Sequence, residues 1–315
     1  MYYIGIDIGG MSVKGGLVDA TGKIYVKDSF KTNPTEDPTV MIADIAKLCR
    51  SLSEKSGVKL EDIKGVGIGV PGTINNQTGV ITYANNINFE NVPIVAELKK
   101  HISLPVQIGN DANCAALGEV AFGSAKGMDN IIFVTLGTGV GSGIILDGKI
   151  FEGQGGAGAE AGHMCLVLGG ELCTCGKRGC WEAYASATAL IRQTKRAAEK
   201  YPNSLLAKTI AEEGKVSGRT AFVAARANDP AGKAVVKRYV RYIAEGLVSL
   251  VNIFRPTALI IGGGISNEGD YLIKRLQRLV SYYSYGGKRN PDVKVIKAEL
   301  LNDAGILGAA ALLLK

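Results

Sequence analysis

Three apolar segments of this chain run directly into turns that are rich in glycine. Each predicted strand is paired with the turn that follows it: residues 2–8 with 9–10, residues 130–135 with 137–143, and residues 257–261 with 262–264. Short apolar runs that end at glycine are typical of buried strands. Helical patterns lie between them, so the sequence predicts α/β layers in which helices cover a sheet.

The pattern of strand and glycine-rich turn begins again near residue 130. The chain has 315 residues, a length that corresponds to about two domains. We therefore predict a smaller α/β domain of residues 1–112 and a larger α/β domain of residues 113–299. Both are long enough to bury a hydrophobic core.

Composition excludes several classes of protein. The chain contains 42 glycines and 9 prolines with no collagen period, which excludes fibrous and low-complexity proteins. The net charge is +7, but the basic residues are spread out, so we expect solvated helix faces and no nucleic-acid partner. No apolar run reaches the roughly 18 residues of a membrane helix, so no membrane partner is expected. The first residues lack the basic start of a leader, which predicts a cytoplasmic location.

The first glycine-rich turn combines an acid, two glycines and a base: Asp7, Gly9, Gly10 and Lys14. Glycines after a strand let backbone N–H groups approach phosphate oxygens, and a lysine adds positive charge. A carboxylate at the strand end can position a hydrated Mg²⁺. A plain Gly-Gly β-turn also explains this segment.

The second turn, residues 134–143, has four glycines at alternate positions and retains three hydroxyls. A hairpin turn needs fewer glycines, so this spacing favours a phosphate-binding turn, while a simple hairpin stays open. The third turn, residues 262–264, can admit a nucleotide base or phosphate. Phosphate-binding turns in both halves predict a nucleotide in a cleft between them.

A single segment holds four residues that bind metal in other proteins: His163, Cys173, Cys175 and Cys180. One imidazole and three thiols form a Cys₃His set for tetrahedral Zn²⁺. Since all four positions are filled by protein, the predicted Zn²⁺ is structural. A redox pair or a chance cluster of thiols is the alternative.

Three carboxylates lie where they can meet a substrate. Glu160 and Glu182 flank the metal segment, and carboxylates and imidazole hydrogen-bond to sugar hydroxyls. Asp111 follows the predicted strand 105–109 and begins a predicted helix, 111–122. It is a candidate general base, and an N-cap role is the alternative. Solvated loop acids are the alternative for the two glutamates.

These segments, in this order, resemble the ROK family of sugar kinases and sugar-responsive repressors. The resemblance covers the whole chain and is most specific from Glu160-Ala-Gly-His163 to Cys173-x-Cys175-Gly-x-x-Gly-Cys180-x-Glu182. It implies a two-domain actin/hexokinase-like (ribonuclease H-like) α/β fold with a nucleotide cleft between the domains. The C-terminal helix, 300–315, would complete the small domain, and the large domain would contain a zinc-binding Cys/His loop, residues 160–182.

The resemblance also implies roles for individual residues. Asp111 matches the catalytic base of the family. The positions that match sugar contacts are Gly72, Asn86, Asn110, Asp111, Glu160, His163 and Glu182. The positions expected around Mg²⁺ and the phosphates are Asp7, Gly9, Gly10, Ser12, Lys14, Gly137, Thr138 and Gly139, with Gly263 and Gly264 near the adenosine. His163 would bind Zn²⁺ through one ring nitrogen and sugar through the other.

The implied activity is ATP-dependent phosphorylation of a hexose 6-hydroxyl, because residues 69–72 and 134–143 look most like the bacterial glucokinases of the family. The implied cofactors are ATP, Mg²⁺ and structural Zn²⁺, and the implied assembly is a homodimer or homotetramer. The alternatives are an N-acetylmannosamine or N-acetylglucosamine kinase and a sugar-binding regulator. Two positions depart from the family pattern: Met11 replaces a usual threonine, and Phe89 replaces a frequent tryptophan.

Overall fold

The computed structural model describes residues 1–84 and 87–314. The first elements in chain order are β1 (Tyr2–Ile8), β2 (Ser12–Asp19), β3 (Ile24–Lys31), α1 (Pro38–Ser56), β4 (Ile63–Val70), β5 (Thr73–Asn75), β6 (Val80–Ala84), β7 (Phe89–Val92), α2 (Ile94–Lys99), β8 (Val106–Asn110) and α3 (Asp111–Phe122). The predicted helix 111–122 is therefore confirmed at both ends.

The remaining elements are β9 (Ile131–Leu136), β10 (Val140–Leu146), β11 (Lys149–Ile150), α4 (Glu182–Ala185), α5 (Ala187–Lys200), α6 (Leu205–Glu213), α7 (Thr220–Arg226), α8 (Pro230–Phe254), β12 (Ala258–Gly262), α9 (Asp270–Tyr283), β13 (Lys294–Lys297) and α10 (Ala304–Ala311). Strands and helices alternate along the chain, which confirms the predicted α/β class. Among the described helices, none is long and apolar enough to cross a membrane.

The chain forms two compact units. Unit 1 comprises Met1–Phe133, Gly143–Ala159 and Glu299–Lys315, and unit 2 comprises Val134–Ser142 and Glu160–Ala298. The division expected after residue 112 would cut α3 after its second residue. In the structure α3 stays in unit 1, because it packs against α10 at the C-terminal end of the chain.

The first sheet belongs to unit 1 and has the strand order β3-β2-β1-β4-β8. Strands β1, β4 and β8 run parallel to one another, so their carboxyl ends lie at the same edge. Asp7 pairs with Gly69 across β1 and β4, and Val70 pairs with Asn110 across β4 and β8. In open α/β sheets this edge is where ligands bind.

Helix α10 packs on this sheet through glycines. A Cβ on Gly5 would lie 1.9 Å from the carbonyl oxygen of Ile306, and a Cβ on Gly67 would lie 1.8 Å from that of Ala309. A Cβ on Gly308 would meet the Cys114 carbonyl of α3 at 1.8 Å. Part of the glycine excess therefore serves contacts between helix and sheet or between helices, a role that sequence analysis did not assign to it.

The second five-stranded sheet has the order β11-β10-β9-β12-β13, with β12 and β13 parallel. The core of unit 2 is built around the fully buried Trp181, whose Nε1 donates to the Tyr242 carbonyl at 2.8 Å. Gly246 leaves room for this indole, because a Cβ there would lie 2.1 Å from the ring. Trp181 thereby fixes the start of α4 and the position of the neighbouring Glu182.

Candidate active site

The first part of the site is the N-terminus of α3. Asn110 is its N-cap, and its Oδ1 accepts hydrogen bonds from the backbone N–H groups of Ala112 at 2.9 Å and Asn113 at 3.2 Å. Asp111 is the first helical residue and is exposed, with its Oδ1 2.8 Å from the Ala112 nitrogen. The alternative N-cap role for Asp111 is therefore wrong, because Asn110 fills that position and leaves the carboxylate at the surface.

Gly72 lies beside this helix start. Its carbonyl oxygen accepts a hydrogen bond from Asn110 Nδ2 at 3.1 Å. Its φ of +105° favours glycine, and a Cβ would lie 2.1 Å from the Tyr83 carbonyl oxygen. The structure thus places Gly72 beside Asn110 and Asp111, whereas Asn86 lies outside the described residues.

The first glycine-rich turn lies at the end of β1 in unit 1. Asp7 pairs with Lys14 across β1 and β2, and burial raises the pKa of its carboxyl while the charge of Lys14 partly lowers it. Gly305 gives this carboxyl room, since a Cβ there would lie 2.5 Å from it. A buried carboxylate of this kind is stabilised by a nearby cation.

The turn itself is closed by backbone hydrogen bonds. The Gly9 nitrogen donates to the Ser12 carbonyl at 3.0 Å, and the Thr32 hydroxyl donates to the Gly9 carbonyl at 2.6 Å. Thr32 was not predicted, because nothing in the local sequence connects it to a turn over twenty residues earlier. Met11, in the same turn, is 88% exposed, so its side chain does not contribute to packing.

The second and third glycine-rich turns lie together in unit 2. The Gly137 nitrogen donates to the Gly139 carbonyl at 3.0 Å, and the Thr188 hydroxyl of α5 donates to the Thr138 carbonyl at 2.8 Å. Gly263 has a φ of +77°, and a Cβ there would lie 2.6 Å from backbone atoms of Leu136. The two turns therefore meet at the ends of β9 and β12.

The Cys/His loop brings its four predicted ligands together. The ligand atoms of His163, Cys173, Cys175 and Cys180 all lie within 4.8 Å of one another. The Sγ atoms of Cys175 and Cys180 are 3.7 Å apart, and Cys173 Sγ is 3.6 Å from His163 Nδ1. Tetrahedral Zn²⁺, with bonds of about 2.3 Å to sulfur and about 2.0 Å to nitrogen, separates two sulfur ligands by about 3.8 Å and a sulfur from a nitrogen ligand by about 3.5 Å. The donor set therefore fits this ion.

Glu182 connects the Cys/His loop to the second turn. Its Oε2 accepts from the Val140 nitrogen at 2.9 Å, and its Oε1 accepts from the Thr174 hydroxyl at 3.0 Å. A Cβ on Gly139 would lie 2.3 Å from Oε2, which explains why this turn position is glycine. Oε1 also accepts from Cys173 Sγ at 3.5 Å, so the second lone pair of Oε2 is the one that Glu182 retains for a sugar hydroxyl.

Glu160 precedes the single helical turn Ala161–His163. The residue as a whole is exposed, but atoms packed around its carboxyl desolvate it and raise its pKa. The charge of Glu182 also raises this pKa, and His163 lowers it. The charges of these three predicted sugar contacts therefore act on one another within unit 2.

Two carboxylates of unit 1 were not predicted. Glu152 accepts hydrogen bonds from Asn76 and Asn113, and burial raises its pKa. Glu119 of α3 is fully buried, and its carboxylate accepts from the backbone nitrogens of Ser124, Glu299 and Leu300 at 2.8 to 3.2 Å. Both residues fix the helix that carries Asp111, and their partners are too distant in sequence for local patterns to indicate them.

Comparisons with known proteins show the family of the chain. The sequence model of the ROK family matches residues 3–315. The glucokinase of Streptomyces coelicolor is 38% identical over 313 residues, which cover 98% of this chain and 96% of that protein. The xylose repressor of Bacillus subtilis is 29% identical over 315 residues, which cover 99% of this chain and 77% of the repressor.

A solved structure shows the same fold. The ROK family glucokinase from Streptomyces griseus, in complex with glucose and AMPPNP, superposes with a TM-score of 0.84 and 35% sequence identity, covering 99% of each chain. The predicted actin/hexokinase-like fold is confirmed by this similarity. The match over nearly the whole sequence and the similarity of the fold establish that the chain belongs to the ROK family.

Proposed function

We propose that this chain is an ATP-dependent hexose kinase that transfers the γ-phosphoryl group to the 6-hydroxyl of glucose. The single observation that carries the proposal is the exposed Asp111 carboxylate at the capped start of α3, beside Gly72. The similarity to glucokinases over 98% of the chain supports glucose as the acceptor. The similarity to a complex with glucose and AMPPNP supports ATP as the donor.

In this mechanism Asp111 accepts the proton of the 6-hydroxyl while that oxygen attacks the γ-phosphorus. The new P–O bond forms as the bond to the ADP oxygen breaks, and the proton ends on the Asp111 carboxylate. The Asn110 side chain caps the start of the helix by accepting two backbone hydrogen bonds, so the backbone that carries the Asp111 carboxylate is held in a fixed position. Much of the rate enhancement is then expected from positioning rather than from the basicity of Asp111.

The nucleotide would be bound by the glycine-rich turns. Backbone N–H groups of residues 9–10 and 137–139 would approach the phosphates, and residues 263–264 would lie near the adenosine. Mg²⁺ would neutralise phosphate charge as it does in other kinases. Asp7, with its raised pKa and its pairing with Lys14, is the residue that fits a place near this hydrated cation.

Zn²⁺ is the ion that the Cys/His loop fits, and its role there would be to order the loop. His163 faces Cys173 through Nδ1, so Nε2 is the ring nitrogen left to donate to a sugar hydroxyl. Glu160 and Glu182 would accept hydrogen bonds from other hydroxyls of the same sugar. A homodimer or homotetramer in the cytoplasm is part of this proposal and is supported by the family resemblance.

The test is a coupled ADP-release assay with glucose, mannose, fructose, N-acetylmannosamine and N-acetylglucosamine, followed by ³¹P NMR of the product. We expect the highest kcat/KM with glucose and a phosphate monoester on O6. A higher kcat/KM with an N-acetyl sugar would identify that sugar, and not glucose, as the substrate. Sugar binding without ADP release in the zinc-loaded protein would contradict the kinase proposal.

A further inference from the structure

A cavity lies between α5 and α8 of unit 2, and no residue of the glycine-rich turns lines it. Its volume is about 320 Å³, which is enough for a small organic ligand. It is lined by four cationic side chains and one carboxylate: Arg192, Arg196, Lys200, Arg238 and Glu171. Nothing in the mechanism above uses this cavity.

The charges that line this cavity are unbalanced. Arg192, Arg196 and Lys200 are spaced four residues apart on α5 and therefore share one helix face. Glu171 pairs with Arg196 and lies 3.7 Å from Arg192 Nε, whereas Arg238 of α8 forms no ion pair with any described residue. Arginine forks bind phosphate oxygens in pairs, so the lining suits a phosphate group.

A buried amide supplies a second and independent observation. Gln193 lines the same cavity and is 7% exposed. Its Nε2 donates to the Tyr184 carbonyl at 3.0 Å, but its Oε1 is buried and no described residue donates to it. An unpartnered buried acceptor is costly, and a ligand hydroxyl can satisfy it once the amide turns toward the cavity, whereas the ionised phosphate of a monoester has no proton to donate.

We propose that this cavity binds a phosphate monoester that carries free hydroxyls, such as a sugar phosphate. The phosphate contacts Arg192, Arg196 and Arg238, and one hydroxyl donates to Gln193 Oε1. Glu171 competes with the phosphate for Arg196, so the carboxylate moves aside when the ligand binds. None of the residues that line the cavity is among those proposed to bind hexose or ATP, and the inference does not depend on the kinase proposal.

The test is isothermal titration calorimetry of the zinc-loaded protein at pH 8 with ribose 5-phosphate, methyl phosphate and ribose, because methyl phosphate is a monoester without hydroxyls. Ribose 5-phosphate is not the product of a hexose kinase, so failure of one proposal leaves the other intact. We expect ribose 5-phosphate to bind at least about tenfold more tightly than methyl phosphate, and ribose not to bind. Equal affinity for ribose 5-phosphate and methyl phosphate, or displacement of ribose 5-phosphate by AMPPNP, would overturn the proposal.

Two variants of α8, each of which removes one positive charge, test whether the ligand binds in this cavity. Arg238→Gln should weaken ribose 5-phosphate binding about tenfold or more. Lys237→Gln removes one positive charge from the residue of α8 that precedes Arg238. Lys237 does not line the cavity, so this change should leave the affinity for ribose 5-phosphate nearly unchanged. Equal losses of affinity in the two variants would show that the ligand is attracted by net charge alone and would contradict binding in this cavity.

Two further variants test the chemistry. Glu171→Gln removes the competing carboxylate and should strengthen ribose 5-phosphate binding, the opposite direction to Arg238→Gln. Gln193→Leu should abolish the preference for ribose 5-phosphate over methyl phosphate while retaining the binding of methyl phosphate. An unchanged preference in a folded Gln193→Leu protein would mean that water satisfies Oε1, and the assignment of the hydroxyl contact would be wrong.

Discussion

The two regions that carry the predicted sugar contacts are built by different means. In unit 1, Asp111 is the first residue of a regular helix, and its position is set by the Asn110 cap and the register of β8. In unit 2, Glu160, His163 and Glu182 lie on or beside the Cys/His loop, which contains only one short helical turn and isolated bridges before α4. A regular helix and its cap build the first region, whereas turns, isolated bridges and a cluster of ligand side chains build the second.

This difference has a physical consequence. A capped helix on a parallel sheet holds its first residue in place without any ligand, because the cap satisfies the free N–H groups. The Cys/His loop has backbone hydrogen bonds of its own, such as those from Cys173 to Lys177 and from Gly179 to Glu171, but they lie in turns and isolated bridges and not in a regular helix or sheet. We therefore expect a metal that joins four side chains of this loop to fix it further. Zinc removal should therefore affect the two regions unequally.

The largest expected effect is that of Asp111→Asn. Without the base, kcat should fall by about 10²–10⁴-fold, while glucose affinity changes little, because the helix and its cap remain. Turnover in the coupled assay and glucose titration by calorimetry measure the two quantities. The control is Asp62→Asn, the same chemical change at an exposed acid of unit 1. Near-normal turnover in Asp111→Asn would show that Asp111 is not the general base.

The next effect is that of Cys175→Ser in the Cys/His loop. Loss of one thiolate should release Zn²⁺ and weaken glucose binding by about 10–100-fold, since the metal orients His163. Cys165→Ser is the matched control, because Cys165 is an exposed thiol of the same loop and is not one of the four converging residues. Elemental analysis and glucose calorimetry of both proteins give the result. Unchanged glucose affinity in metal-free Cys175→Ser would refute the orienting role.

A smaller effect is expected for Asn110→Ala. Loss of the N-cap should lower the free energy of unfolding by about 0.5–2 kcal/mol, measured by urea denaturation. Asn110→Ser keeps a capping oxygen but loses the donor to Gly72, so it should recover stability without recovering full kcat. If Asn110→Ser restored both quantities, the contact with Gly72 would have no role in activity.

The smallest effect is expected for Met11→Thr. The substitution restores the hydroxyl that the family pattern usually has at this position, and one added hydrogen bond to phosphate should lower the KM for ATP by about two- to tenfold. Because Met11 is 88% exposed, stability should not change. A KM for ATP equal to that of the unmodified protein would mean that the backbone of the turn binds the phosphate as well without the hydroxyl.

Sequence patterns predicted the local parts of this molecule well. The ligands of the Cys/His loop lie within 18 residues, so their spacing was enough to predict that they converge. The choice of cap at α3 was harder, because Asn110 and Asp111 are both good N-caps and only the backbone geometry distinguishes them. The packing of α10 on Gly5 and Gly67 could not be predicted, because it joins segments about 300 and 240 residues apart.

The different construction of the two regions can be measured most directly by hydrogen–deuterium exchange of the zinc-loaded and the chelator-treated protein. We predict that amides of α3 exchange at the same rate in both, whereas amides of the Cys/His loop exchange much faster after zinc removal, together with a loss of glucose affinity. Equal exchange of the loop in the two proteins, or faster exchange of α3 as well, would contradict the account.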